Sequence, residues 1–244
     1  MLTRAGKKKL RAFANRILDI AERKGLTGSR PTFQLDYHNQ YPELSILENH
    51  YELVRAETLG LIANPESLVD IASINAKYTG PHKITWKTFV LKHEEWKDEN
   101  CARCPETTKL LKQIPNLSNA FFSVLGARQH ISPHWGFYRG FIRYHLGVVI
   151  PQNNEDCSCY LRINTSYEDN AKQDTSLIER GAKYYWKNGQ GVLFDDMFLH
   201  DAENGSDEPR VVLWLDLEKK LPSLLTAVNK VVIRYGGPIP DVSI

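Results

Sequence analysis

His134 and His200 are the side chains with the clearest chemical potential. His134 stands in Pro133-His134-Trp135-Gly136, and His200 closes Phe194-Asp195-Asp196-Met197-Phe198-Leu199-His200. Between them lies Arg143-Tyr144-His145-Leu146-Gly147, and Arg210 follows ten residues after His200. Imidazoles bind first-row divalent metals through a ring nitrogen, and guanidinium groups grip carboxylates with paired N–H donors. Two of each on a β-rich stretch suit a divalent metal held beside a small dicarboxylate. A lone histidine is ordinarily a satisfied core or surface residue, and a lone arginine a surface ion pair. The combination carries the reading.

Imidazole suits Fe(II), and the common non-haem iron site joins two histidines to one carboxylate with positions left open. A His-x-Asp/Glu motif would put that carboxylate at position 136, where this chain has Gly136. Iron held by His134 and His200 alone would leave charge for water, another anion or a dianionic 2-oxoglutarate to balance. Arg143 and His145 are two apart, so on a strand they project from one face. A hairpin of His200–Asn204 with Arg210–Leu217 across Gly205–Pro209, with Asn204 opposite Arg210, is the simplest arrangement. It predicts His200 and Arg210 on one sheet face about 13 Å apart, at ~3.4 Å per residue, a span that chelated 2-oxoglutarate and a reaching arginine could cover.

The elements that must hold these groups follow from periodicity. From about Ala120 the chain reads as short strands: Ala120–Leu125, Phe141–Ile150, Tyr160–Ile163, Tyr184–Trp186, Gly191–Phe194, His200–Asn204 and Arg210–Leu217. Frequent turn signals between them, Asn188-Gly189 as a hairpin turn included, predict a sandwich or jelly roll. Residues 164–182 are long and polar and read as an inserted loop. Upstream, Ile84–Leu91 is rich in β-formers, Pro42 to about Ile62 reads as a helix, and Thr107 to Ile114 as a shorter one. Residues 26–40, with Gly28, Ser29 and Pro31, read as a loop. Leu221 to about Val231 predicts a closing helix. The expected plan is a basic N-terminal helix (1–30), a helical and mixed support region (31–119), a β catalytic core (120–220), and a C-terminal helix and tail (221–244).

The chain has 244 residues, 42% hydrophobic and 25% charged, enough for one large or two small domains. No apolar run approaches the ~18 residues of a membrane span, and the start lacks a secretory apolar segment. The expectation is a cytoplasmic protein. The net charge of +2 conceals an asymmetry: residues 1–30 carry nine Lys/Arg against two acids, and the rest carries 22 against 27. In the amphipathic helix expected from Ala5 to Lys24, Leu10, Phe13, Ile17 and Ile20 form an apolar stripe opposite Lys7, Lys8, Lys9, Arg11, Arg16, Arg23 and Lys24. The stripe is expected to dock on the domain, leaving a solvated basic face. The functional alternative is attachment to anionic lipid, peripheral to the inner face of a membrane. No aromatic–basic interleaving supports nucleic acid. The four cysteines, Cys101-x-x-Cys104 and Cys157-x-Cys159, could make a zinc site or a regulatory thiol pair, but C-x-C is unusual in structural zinc sites and ordinary reduced thiols are expected.

On Phe122-Ser123, Pro133-His134-x-Gly136, Arg143-x-His145-Leu146-Gly147, Trp186-x-x-Gly189, Phe194-Asp195-Asp196, His200 and Arg210-Val211-Val212-Leu213, the chain resembles the aspartyl/asparaginyl β-hydroxylase family. The likeness spans Ser123 to Leu217 and weakens upstream through Trp86, Cys104-Pro105-x-Thr107 and Tyr51–Glu57. It implies a double-stranded β-helix, a cupin-like jelly roll flanked by helices. It also implies Fe(II) on His134 and His200, the far carboxylate of 2-oxoglutarate on Arg210 with Ser123, and its other end on Arg143 and His145. Glycine at 136 is the family's own pattern, with water completing the iron shell. The family's Pro-Gly before the first histidine is Leu125-Gly126 here, and its Asn before the arginine is replaced near Arg139-Gly140. Tyr138-x-Gly140-x-x-Arg143-Tyr144-His145-Leu146-Gly147 and His200-x-Ala202-x-Asn204 are more similar to the bacterial lipid A hydroxylase branch, which keeps an aspartate at the position of Gly136 and has membrane-spanning helices.

The resemblance therefore implies a dioxygenase that uses O2 and 2-oxoglutarate to hydroxylate an unactivated C–H bond, with a peptide, amino-acid or lipid substrate. Halogenation, with chloride in the position opened by Gly136, is a second enzyme reading. A metal- or ligand-binding module without turnover, membrane-associated through residues 5–24, is the reading from another class.

Overall fold

The computed structural model describes residues 3–27, 33–71 and 84–236; the expected loop residues Gly28, Ser29 and Pro31 fall outside them. Two antiparallel sheets face one another. The strands are β1 (Val69–Asp70), β2 (Trp86–His93), β3 (Glu95–Trp96), β4 (Leu117–Leu125), β5 (Gln129–His134), β6 (Phe141–Val149), β7 (Cys159–Asn164), β8 (Ala182–Tyr185), β9 (Gly191–Phe194), β10 (Leu199–Asn204) and β11 (Arg210–Glu218). The larger sheet runs β1-β2-β4-β11-β6-β9, with β3 beside β2, and the smaller runs β5-β10-β7-β8. From β4 to β11 the chain crosses from one sheet to the other at every step except β7 to β8, which is the winding of a double-stranded β-helix.

β4, β6 and β11 are buried along nearly their whole length. Their inner faces join β5, β7, β9 and β10 in a core that contains Trp86, Phe121, Leu161, Trp186, Phe194 and Trp214. Their outer faces meet Leu44, Leu47, Val54, Leu61, Leu110 and Leu111 from the helical region, forming a second core. Strands apolar on both faces need a cover on each side, and the upstream helices supply one of them. A third cluster joins the N-terminal helix Arg4–Arg23 to the C-terminal helix Ser223–Tyr235 through Ala14, Leu18, Tyr138, Phe141 and Val232.

Several expectations change in three dimensions. The helix expected over 42–62 is divided: a 3-10 turn at Pro42–Leu44, a short helix at Ser45–Asn49, a break at His50, then Tyr51–Ala63. Asp98–Arg103 is an additional helix, packed before Pro105–Leu111. The polar stretch 164–182 is not an open loop. It contains the helix Tyr167–Lys172, capped by Ser166 accepting from Asp169 N, and a 3-10 segment at Thr175–Arg180. Asn188-Gly189 is a turn with Gly189 at φ +73°, but β8 and β9 enter different sheets, so it closes no hairpin. The N-terminal helix docks with Ala14, Leu18, Ala21 and Glu22, while Phe13 and Ile20 stay 64% and 48% exposed. Leu10 packs against the same cluster, so the expected stripe docks in part: Ala14 and Ala21 permit close approach, and the Phe13 and Ile20 side stays outside.

Candidate active site

β5, which carries His134, gives little sequence signal because it holds Ser132-Pro133. Proline donates no ladder hydrogen bond, and the strand tolerates it by lying at the edge of the smaller sheet. Its one partner among the described residues is β10, with His134 directly opposite His200. The pairing shifts register between His200 and Ala202, a local irregularity that lets the two histidines meet. Their ring centroids are 4.2 Å apart. On the far side of β10, Asp201 bonds His130 at 2.9 Å and Arg162 at 2.7 Å, clamping the strand to both neighbours.

Each histidine is oriented by its own backbone. Nδ1 of His134 lies 2.8 Å from the Ser132 carbonyl, and Nδ1 of His200 lies 2.8 Å from the Phe198 carbonyl. With Nδ1–H donating, Nε2 is the nitrogen of each ring that carries a lone pair. Burial, reinforced by Arg143, lowers the His134 imidazole to about 4. Burial also pushes His200 well below its usual value, with His134 and Arg143 adding to it. Both rings are thus neutral near pH 7, the state a metal requires.

The larger sheet forms the opposite wall. In β11, Val212 pairs with Ser123 of β4 and Trp214 with His145 of β6, while Arg143 sits opposite Asp216. Period-two geometry puts Ser123, Arg143, His145 and Arg210 on one inner face. Together with His134 and His200 they line a single cleft, whose apolar walls are Trp86, Ile131, Leu161, Phe194, Ala202 and Trp214. All six residues singled out in the sequence therefore converge.

The two arginines are not equivalent. Arg143 binds Asp196 and Asp216, each at 2.9 Å, with its guanidinium 3.9 Å from the Trp214 ring centre. Arg210 is 1% exposed and lies 4.4 Å from the centre of the Trp186 ring. Its Nε has no hydrogen-bond partner, and no carboxylate pairs with it among the described residues. Burial lowers it to about 10, which leaves it charged at neutral pH. Neither ring nitrogen of buried His145 has a partner, and burial, then Arg143, drives that imidazole well down. Ser123 Oγ accepts from Trp86 Nε1 at 2.9 Å, leaving its own hydrogen free to donate. An uncompensated buried cation and an unsatisfied imidazole are costly. Their natural complement is an anionic, oxygen-rich ligand.

The hairpin that would have put His200 and Arg210 on one sheet face does not form. β10 belongs to the smaller sheet and β11 to the larger. Asn204 ends β10 by donating to the carbonyls of Gly126 and Glu208, each at 2.8 Å, which directs the chain across instead of back. His200 and Arg210 therefore face one another from opposing sheets.

Two further residues shape the site. Asp196 fills the space beside Gly136: a Cβ at 136 would collide with its carboxylate, and Gly136 N donates to the Asp196 carbonyl at 2.8 Å. Burial lifts the Asp196 carboxyl to about 6 against the pull of Arg143. Asn170 accepts from Trp135 Nε1 at 2.9 Å and from Leu199 N at 2.6 Å, tying together the neighbours of both histidines. The acid pair before His200 was a visible signal for Asp196. Nothing in the sequence pointed to Asn170 in its polar stretch. Among the described residues, no group of three or more His, Cys, Asp or Glu is arranged to hold a metal. The cysteines are free and separated: Cys101 and Cys104 pack in the outer core, and Cys159 in the inner one.

The family model for aspartyl/asparaginyl β-hydroxylase matches residues 48–220. The chain is 30% identical over 191 residues to an ornithine lipid ester-linked acyl 2-hydroxylase of Rhizobium tropici, covering 78% of this chain and 62% of that protein. It is also 30% identical over 190 residues to aspartate beta-hydroxylase domain-containing protein 2 of Homo sapiens, covering 73% and 45%. The chain thus spans less than two thirds of either relative. Among solved structures, a prolyl hydroxylase from Trichoplax adhaerens, in complex with a peptide fragment of hypoxia inducible factor, superposes with a TM-score of 0.48 at 11% identity, covering 91% of this chain and 94% of that one. With the winding of the sheets and the 173 matched residues in view, the chain belongs to the aspartyl/asparaginyl β-hydroxylase family.

Proposed function

We propose that the protein is an Fe(II)- and 2-oxoglutarate-dependent hydroxylase. The carrying observation is the unpaired, buried Arg210 facing the cross-strand pair His134–His200 across one apolar cleft. The donor set fits these groups. Two neutral imidazoles that present Nε2 lone pairs suit Fe(II) and leave most of its positions open. Arg210 with Ser123 suits a distal carboxylate, and His145 with Arg143 suits the chelating end. When bound, iron, 2-oxoglutarate and O2 supply the oxidising chemistry, turning a substrate C–H into C–OH as 2-oxoglutarate becomes succinate and carbon dioxide.

The chain's own residues prepare that chemistry. The carbonyls of Ser132 and Phe198 fix each histidine tautomer. Arg143, already neutralised by Asp196 and Asp216, acts as a rigid donor and contributes little net charge. Trp86, Phe194 and Trp214 wall the cleft and the Trp186 ring covers Arg210, so that a low dielectric strengthens the guanidinium–carboxylate contact.

The first substrate reading is β-hydroxylation of an aspartyl or asparaginyl residue, or a related amino acid, as the family's description suggests. The similarity to the Rhizobium tropici protein favours a second, hydroxylation of a lipid acyl chain. Four free cysteines support placement in the reducing cytoplasm, and no helix among the described residues is long and apolar enough to cross a membrane. The deciding experiment adds Fe(II) and 2-oxoglutarate to the protein without oxygen and follows the visible charge-transfer band of the chelate. A band that is lost in His134→Ala supports the reading. Well-folded protein that gives no band and consumes no 2-oxoglutarate in air overturns it in favour of a binding module.

A further inference from the structure

The N-terminal and C-terminal helices pack together through Ala14, Leu18 and Val232, which accounts for their inner faces and leaves their outer ones unexplained. On the 4–23 helix, Phe13 and Ile20 are 64% and 48% exposed. At 3.6 residues per turn they share the side opposite Ala14 and Leu18 with exposed Lys9 and Arg16. On the 223–235 helix, Leu224 is 78% exposed, and Val231 and Tyr235 about half exposed. Exposed Lys230 and Arg234 accompany them.

Acidic charge is withheld from this surface. Asp19 pairs with Arg23 at 2.8 Å and with Arg139 at 3.2 Å. Glu22 is buried and bonds Arg139 at 3.1 Å, Tyr167 at 2.7 Å and Lys219 at 3.4 Å. The C-terminal helix contains no acidic residue. What remains outside is basic charge interleaved with large apolar side chains. A merely solvated face would not need Phe13, Ile20 and Leu224 in water. Single-stranded nucleic acid uses aromatic stacking platforms and gives no account of exposed Ile20 and Leu224. A bilayer of anionic phospholipid accounts for both properties, with phosphates for the bases and the headgroup–acyl boundary for the apolar residues.

We infer that the outer surface of these two helices docks on an anionic phospholipid bilayer, with Phe13, Ile20 and Leu224 entering the interface and Lys9, Arg16 and Lys230 meeting lipid phosphates. The surface is held in fixed relation to the cleft. Asn15 donates to the Phe137 carbonyl at 3.1 Å and accepts from Arg139 N at 2.8 Å, so the helix is clamped to the chain that follows His134. The inference stands apart from the oxygenase reading: a protein that consumes no 2-oxoglutarate would still dock.

The test is co-sedimentation of the full chain with vesicles of phosphatidylcholine alone and of phosphatidylcholine doped with phosphatidylglycerol, at low and high salt. The expected result is binding to the doped vesicles, weakened by salt. Lys9→Gln/Arg16→Gln should lower affinity about twenty-five-fold, at roughly five-fold per basic residue. Phe13→Ser/Ile20→Ser and, separately, Leu224→Ser should weaken binding while leaving its salt dependence in place. Thermal melts matching the parent show that each variant is folded, and 2-oxoglutarate consumption in solution should not change. Equal binding to both vesicle types, no binding to either, or variants that bind as well as the parent overturn the inference. Binding of a single-stranded RNA oligonucleotide that survives Phe13→Ser/Ile20→Ser, without vesicle binding, also overturns it and assigns the face to nucleic acid.

Discussion

The carboxylate of Asp196 occupies the place that any side chain at Gly136 would require. Position 136 is where a His-x-Asp/Glu motif would present its third metal ligand. Here a glycine on the chain after β5 gives way to an aspartate that comes from the approach to β10 and is held by Arg143 at 2.9 Å.

Gly136→Ala should therefore be overpacked, destabilising the protein by about 1–3 kcal/mol. Gly136→Asp should fare no better, because two carboxylates would compete for the space beside Arg143. The double variant Gly136→Asp/Asp196→Gly should recover part of the loss. Urea denaturation of the three variants measures this. A Gly136→Asp protein as stable as the parent would show that Asp196 can leave its place freely.

Arg210→Met separates binding from folding. Removing a charge-assisted contact to the distal carboxylate should weaken 2-oxoglutarate by about 1.5–3 kcal/mol, read by calorimetry on the metal-loaded protein. The same change removes a buried cation that has no acidic partner. The ligand-free melting temperature should hold or rise, since well-packed apolar replacements of buried charge are often neutral or stabilising. Loss of both affinity and stability would mean that Arg210 serves the core.

Asn170→Ala removes the acceptor shared by Trp135 and Leu199. The histidines would keep their rings but lose the brace on their neighbours. Metal affinity should fall about ten-fold, at the low end for outer-shell partners, with little change in affinity for 2-oxoglutarate once the metal is saturating. Competition with a coloured chelator gives the first quantity directly.

The metal-free protein should lose stability as acid is added, partly through His134. Its folded value, about 4, lies below the ordinary 6.5. The unfolded chain thus binds the proton more readily, and the contribution is present above about pH 6.5 and lost as pH falls toward 4. Asp196 opposes this: lifted from 3.8 to about 6, it favours the folded state more as pH falls through that window. Comparing the parent with His134→Asn isolates the histidine, and the variant should show the shallower acid loss between pH 6.5 and 4.

Local chemistry made part of the molecule legible in advance. Arg143 and His145 share a face because strands alternate with period two, and they do so in β6. The run Arg210-Val211-Val212-Leu213 reads as a buried strand because residues apolar on both faces have nowhere else to go. Periodicity gave the N-terminal helix but centred its docking stripe part of a turn away: Leu10 packs against the terminal cluster, while Phe13 and Ile20 stay exposed. It maximised apolar area, whereas the structure packs Ala14, Leu18 and Ala21 closely and spends Glu22 on Arg139, Tyr167 and Lys219. β5 was hidden by Pro133, whose tolerance depends on an edge position that no local pattern reveals.

The sequence by itself determined which groups could do chemistry, since imidazole, guanidinium and the absent carboxylate at Gly136 are properties of residue type. It also determined most strand positions, since alternation and apolar runs are local. Only the tertiary structure decided that β10 and β11 part into opposite sheets, that Arg143 is neutralised while Arg210 is not, and that Asp196 fills the space at Gly136. The physical reason is that pairing partners, burial and charge compensation are set by residues distant in the chain, and no local pattern encodes which of them will meet.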